Sequence, residues 1–186
     1  MTGTKVVKLK LEEGVGGKLP KIREDPVEVA LKLFDDTKYL GPGQFYHDTV
    51  KNTRGVSVSP EQLREILKHL EGRWDADYKY SARVGAFLTA LIRNSEHESF
   101  RIKPQHRIHT LGVYLDREKE ITVEGDVGDW LGDNMKAGTI IVKGDAGEYA
   151  GGDQHGGEII VEGSAGPCAG WRSRYGKLDI REGKGK

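Results

Sequence analysis

The chain is poor in sulfur, with one cysteine, Cys168, and two methionines among 186 residues. A single cysteine excludes an internal disulfide framework. Neither charge is in surplus, since 29 Lys and Arg face 29 Asp and Glu. Proteins that hold nucleic acid or anionic membrane carry a basic excess, so neither is expected as a partner. No apolar run approaches the roughly 20 residues that span a bilayer. Met1 is not followed by the apolar core of a signal peptide. These absences lead us to expect a cytoplasmic chain. Scarce Cys, Met, Asn and Gln beside 31% charged residues is a composition that leans toward a thermophilic source.

Glycine, by contrast, is abundant, at 26 residues, and much of it is in phase. From Ile121 a 19-residue unit repeats without a gap: ITVEGDVGDWLGDNMKAGT, IIVKGDAGEYAGGDQHGGE and IIVEGSAGPCAGWRSRYGK. A fourth unit starts at Leu178 and decays, with Glu182 where glycine is due. Four glycine columns hold through all three units: Gly125/Gly144/Gly163, Gly128/Gly147/Gly166, Gly132/Gly151/Gly170 and Gly138/Gly157/Gly176. Self-similarity at a short fixed period marks a solenoid. A unit this short and this poor in helix formers is not a helix pair.

The first column of the unit is Ile121, Ile140, Ile159, Leu178, and the third is Val123, Val142, Val161, Ile180. Alternate residues of a strand share a face, so both columns point inward. The fourth column, Glu124, Lys143, Glu162, Arg181, alternates in sign and points outward. Neighbours in such a stack lie roughly 4.8 Å apart, so each pair attracts. The glycines mark corners that need a left-handed backbone or close approach. One unit per coil of a parallel β-helix satisfies all of these patterns. The second column, Thr122, Ile141, Ile160, Asp179, faces outward with an apolar middle, which asks for cover.

The pattern I-x-V-x-G-x-x-G-x-x-x-G-x-x-M-x-x-G resembles the GXGXG repeat domain. That domain forms the C-terminal β-helix of the glutamate synthase large subunit and the C subunit of formylmethanofuran dehydrogenases. Gly125, Gly128, Gly132, Met135 and Gly138 fit the pattern in the first unit, and Gly144, Gly147, Gly151 and Gly157 fit it in the second. The resemblance covers about residues 111–180. Relatives of that family have more coils, and residues 1–100 resemble no part of it. The resemblance implies a subunit of an oxidoreductase or amidotransferase assembly. The amidotransferase part of glutamate synthases uses an N-terminal cysteine; here Met1 is followed by Thr2, so that activity does not carry over.

Residues 1–100 read as a mainly α-helical domain with a short first strand, and residues 101–186 as the β-helix. The first strand is Thr4 to Leu11, followed by a glycine-rich loop over 12–18. A helix starts at Pro26 and ends near Asp36, with Val27, Ala30, Leu31 and Phe34 on one face. Gly41-Pro42-Gly43 signals a turn. Ser59-Pro60-Glu61-Gln62 opens a second helix with a capping box, and Gly72 stops it. A third helix runs from about Ser81 to Asn94. Its separation from the second and the lack of a basic face argue against a DNA-binding helix-turn-helix. The 19 residues from Ile102 to Glu120 make a degenerate first coil that closes one end of the stack. The fold class is therefore α+β, a helical region packed on a short right-handed parallel β-helix of 19-residue coils.

Few side chains invite a chemical reading. Cys168 shares a column with Trp130 and Tyr149, which reads as packing beneath a corner; a nucleophilic thiolate would need a nearby histidine or positive site. His106 and His109, three apart, fall on opposite faces of a strand and do not suit one metal ion. Gly151-Gly152-Asp153 departs in period from calcium-binding β-roll repeats, and the glycine spacing departs from dinucleotide fingerprints. No metal, cofactor or catalytic residue is expected on these grounds. Lys136, His155 and Arg174, flanked by Arg172, form a basic ridge suited to an acidic protein partner.

Two functions compete. The first is a non-catalytic β-helix subunit or scaffold module that binds partner chains, or a second copy, through the C-terminal end of the stack. The second is a stand-alone enzyme with a site between helices and β-helix, using Tyr46, His47, Asp48 or Arg172. Fold resemblance alone does not choose between them.

Overall fold

The computed structural model describes residues 25–74 and 77–182. The strand expected at 4–11 lies outside them. Four helices come first: α1 (Pro26–Asp36), α2 (Pro42–Asn52), α3 (Pro60–Glu71) and α4 (Tyr78–Asn94). Five four-residue strands follow: β1 (Ser99–Ile102), β2 (Glu120–Val123), β3 (Thr139–Val142), β4 (Glu158–Val161) and β5 (Lys177–Ile180). They pair in chain order, all parallel, as one face of a β-helix. The protein is α+β, as the repeat and the helical patterning implied.

The helix ends follow the expected chemistry. Asp25 accepts the Val27 amide at 3.0 Å and Pro26 takes the first turn of α1. The Ser59–Gln62 capping box forms reciprocally, at 3.2 and 2.9 Å. Arg83 of α4 closes the other end of α1. Its guanidinium donates to the carbonyls of Phe34 and Thr37 and lies 4.1 Å from the Phe34 ring centroid. Burial lowers the Arg83 pKa, yet the cation faces the negative end of a helix, where it belongs. α2 is the element that local signals missed. Gly41, at φ +113°, makes the turn, but Pro42 then occupies the first helical position instead of continuing the loop. Its buried stripe is only Phe45, Tyr46 and Thr49, too short to stand out as periodic.

The β-helix keeps its inward columns fully buried through β4. Ile121, Ile140, Ile159, Val123, Val142 and Val161 are all inaccessible. On the outside, Arg101 pairs with Glu124 at 2.9 Å and Lys143 with Glu162, while Arg181 turns to Asp179 at 3.0 Å. The stretch 102–120 is a true first coil, but a longer one. Phe100 pairs with Ile121, 21 positions on, where later coils step by 19. Only Ser99–Ile102 of the apolar stretch 100–115 is strand; Ile108, Leu111, Val113 and Leu115 are buried by the turns of the coil.

Among the described residues no coil precedes the first, and α4 takes that place. In later coils a corner amide is satisfied by the coil beneath. Here Ser81 donates to the Arg107 carbonyl and accepts the His109 amide, at 2.8 and 3.1 Å. Thr110 donates to the Ala82 carbonyl at 2.7 Å, and Thr89 accepts the Gly112 amide at 2.8 Å. Gly85 lets the helix approach, since a Cβ there would lie 2.0 Å from the His109 carbonyl oxygen. Helical and β-helical residues consequently share one apolar core. Of the outward column, Thr122 is buried, while Ile141 and Ile160 are only partly covered.

Gly85→Ala is expected to destabilise the fold. Alanine improves helix propensity by about 1 kcal/mol, but overpacking against backbone costs about 1–3 kcal/mol. Thr89→Val should cost about 1–3 kcal/mol by orphaning a buried amide. Chemical denaturation measures both, and a more stable Gly85→Ala variant would show that α4 is not pressed on the coil.

Candidate functional site

The glycine columns do two jobs. At Gly144 and Gly147 the requirement is close approach: a Cβ would lie 2.3 Å from Asp126 Oδ1 and 2.2 Å from Asp129 Oδ1. Those carboxylates fold up against the next coil and accept the amides of Asp145 and Glu148, each at 2.9 Å. Asp145 repeats the bond to Ser164 at 2.7 Å, over Gly163. Gly128 accommodates His109 in the same manner, and Gly166 sits against backbone of the coil beneath. Gly132, Gly151 and Gly170 instead hold left-handed corners, as do Gly125, Gly138 and Gly157. Gly176 yields to the buried side chain of Gln154. All twelve glycines are thus structural.

The column of Trp130, Tyr149 and Cys168 corrects the sequence reading. All three have left-handed backbones, at φ 61°, 57° and 60°, which turn their side chains outward rather than beneath the corner. Trp130 and Tyr149 stack with centroids 4.2 Å apart and planes 2° from parallel. Cys168 follows and is exposed; its hydrogen bond with Tyr149 raises the pKa of that phenol. At the opposite end, the column meets Tyr78, whose ring is 4.4 Å from that of His109.

His109 stands where later coils carry Asp129 and Glu148. Its Nδ1 accepts the Asp129 amide at 2.8 Å, just as Asp129 accepts the amide of Glu148. Burial lowers the His109 pKa, aided by Arg107, while the Asp129 carboxylate 3.4 Å away opposes the shift. Burial prevails, and a neutral ring is what an accepting Nδ1 requires.

The basic ridge forms in part. Lys136, His155 and Arg174 stack in register and are all exposed. Arg172 turns aside, paired with Asp153 at 3.2 Å, with its guanidinium 5.0 Å from the Trp171 ring centroid. The residues weighed for an enzyme site are not gathered. Tyr46 is buried against the first coil, with its hydroxyl 3.3 Å from the Tyr114 carbonyl and its ring stacked on Tyr114. Burial drives its pKa far up. His47 edges Tyr114, and half-buried Asp48 accepts from Gln44. Arg172 occupies the corner matching Tyr114 three coils on, roughly 14 Å along the stack. Among the described residues, no group of three His, Cys, Asp or Glu could hold a metal ion.

The last coil is the feature that sequence only outlined. Among the described residues β5 has a neighbour on one side alone. Lys177 and Arg181 donate their amides back to Gly157 and Val161, at 3.0 and 2.9 Å. Backbone groups alternate along a strand, so those of Leu178 and Ile180 point away from β4. Both side chains are only partly covered, unlike every earlier member of their columns. Trp171 and Tyr175 of the same coil are 44% and 80% exposed. This end therefore offers donors, acceptors and apolar surface together.

Two measurements check these assignments. Cys168 should react with a thiol reagent in the native state nearly as fast as in denaturant; strong native protection would return it to the interior. Because folding lowers the His109 pKa, the neutral ring favours the folded state. That contribution is complete above the unfolded value of about 6.5 and is lost as pH falls through the folded-state value. His109→Asn keeps an acceptor that does not titrate, so it should lose less stability than wild type between about pH 7 and 5. Parallel slopes would remove His109 as the cause.

No protein-family model, curated protein or solved structure matches the chain.

Proposed function

We propose that the chain is a non-catalytic β-helix subunit or scaffold module, a protein of the cytoplasm, whose last coil binds another protein chain. The observation that carries this reading is the asymmetry of the stack. At one end α4 satisfies corner amides of the first coil, and Arg64 of α3 donates to the Arg101 carbonyl of β1. The other presents β5, which among the described residues pairs on one side alone, with Leu178, Ile180, Trp171 and Tyr175. A free strand edge is a template for pairing, and aromatic residues on such a surface supply binding energy. The titratable groups support no competing site, since Tyr46 is buried in packing and Arg172 lies three coils from it. Resemblance to the GXGXG repeat domain extends the reading to an oxidoreductase or amidotransferase assembly, in which the exposed ridge of Lys136, His155 and Arg174 would meet an acidic neighbour.

Gentle isolation of tagged chain from its native host tests this. A stoichiometric protein partner, either a second copy or a different chain, is expected. Trp171→Ser/Tyr175→Ser should release it without lowering the melting temperature by more than a few degrees, because both side chains are exposed. A chain that is always isolated alone, or a partner retained by the double variant, would reject the last coil as the binding surface.

A further inference from the structure

We propose that the chain bound at this end is a second copy, joined by antiparallel pairing of the two β5 strands about a two-fold axis at Leu178. The inference rests on the reading of the last coil as a binding surface and specifies its occupant. A two-fold axis along the sheet normal reverses strand direction and keeps the inner face of the sheet inward. The two stacks then meet end to end, with one continuous sheet across the junction. A closed, self-complementary contact of this kind uses the same edge on both copies and leaves neither β5 edge unpaired.

Geometry and charge select the register. The free backbone groups belong to Leu178 and Ile180, so hydrogen-bonded pairs must form among these residues. Three symmetric registers meet that condition. Centring on Asp179 sets Asp179 against its own copy and Lys177 against Arg181 of the second copy, which repels at every outward position. Centring on Ile180 sets Leu178 against Glu182 of the second copy; Glu182 has φ +47° and leaves the strand. It would also bring a carboxylate to the apolar side. Centring on Leu178 pairs Leu178 with its copy in the core. Lys177 and Asp179 then face Asp179 and Lys177 of the second copy, and each Ile180 lies over Gly176, where there is no side chain to oppose it. Lys177 and Asp179 flank the central residue on the outward side; each already has a partner within its own chain, Glu158 and Arg181, yet both remain solvent-accessible, so the cross-strand contacts would extend these ion pairs. Opposite charges directly across an antiparallel pair stabilise it and like charges destabilise it.

The register makes a reciprocal demand that two charge reversals can test. Asp179→Lys places lysine against lysine twice, and Lys177→Asp places aspartate against aspartate twice. Each variant alone should run as a monomer where wild type shows twice the chain mass by light scattering. Mixed in equal amounts, the two variants should recover the doubled mass as a one-to-one heterodimer, because both cross-strand pairs become opposite in sign. Recovery would also show that each variant is folded. Wild type that stays monomeric at every concentration would overturn the proposal; if a different protein occupies the same end, the binding-surface reading survives alone. Dimeric single variants would overturn it too, by placing the contact elsewhere. Monomeric variants whose mixture fails to associate, while each still unfolds in a single cooperative transition, would overturn the Leu178 register.

Discussion

Neighbouring coils of this protein lie so close that an oxygen from one sits where the next would carry a Cβ. Everything distinctive about the repeat follows from that spacing. Asp126, Asp129 and Asp145 reach up to bind amides of the following coil, and Gly144, Gly147 and Gly163 leave them room. The aspartate and the glycine 18 positions later are two halves of one contact, so each explains the other. Sequence shows the glycines as corner residues in general. The division between those that give way to a carboxylate and those that hold a left-handed turn emerges only from the geometry.

Stacking of this kind solves the hydrogen-bonding problem for every coil except the outermost two. At the start of the stack the solution is a helix that behaves as a substitute coil. Ser81, Thr89 and the carbonyl of Ala82 supply what a preceding corner would have supplied, and Gly85 sets the distance. His109 shows the same substitution from the other direction, since an imidazole nitrogen takes the acceptor role of an aspartate. The helical region is therefore part of the solenoid's construction, and the shared apolar core agrees with this.

The sequence made the repeat legible because its constraints recur at fixed positions. Inward Ile and Val, outward charges and in-phase glycines all state the same period, and the structure has that period. The helix starts at Pro26 and Pro60 were legible for a similar reason, as proline and a capping side chain act locally. α2 was hidden because Gly41-Pro42-Gly43 carries turn and helix-start signals at once. The first coil was visible only in outline, because α4 relieves it of the glycine pattern and its length differs. Cys168 was misjudged because residue type suggests burial, whereas the left-handed corner decides direction. The candidate surface on the last coil could be anticipated as an edge. Its chemistry depends on which backbone groups alternate outward, and the order of residues alone does not display that.

The middle units have a property that neither end shares. Val142, Asp145 and Gly147 pair with the coils on either side, and the spacing of 19 is the same above and below. Excising one whole unit, or copying it in tandem, preserves every inward column and every aspartate-to-amide contact in kind. The β-helix is in this sense a ruler graduated in steps of roughly 4.8 Å. The number of units fixes how far the helix-capped end stands from whatever engages β5, so the chain can change its reach without changing either of its ends.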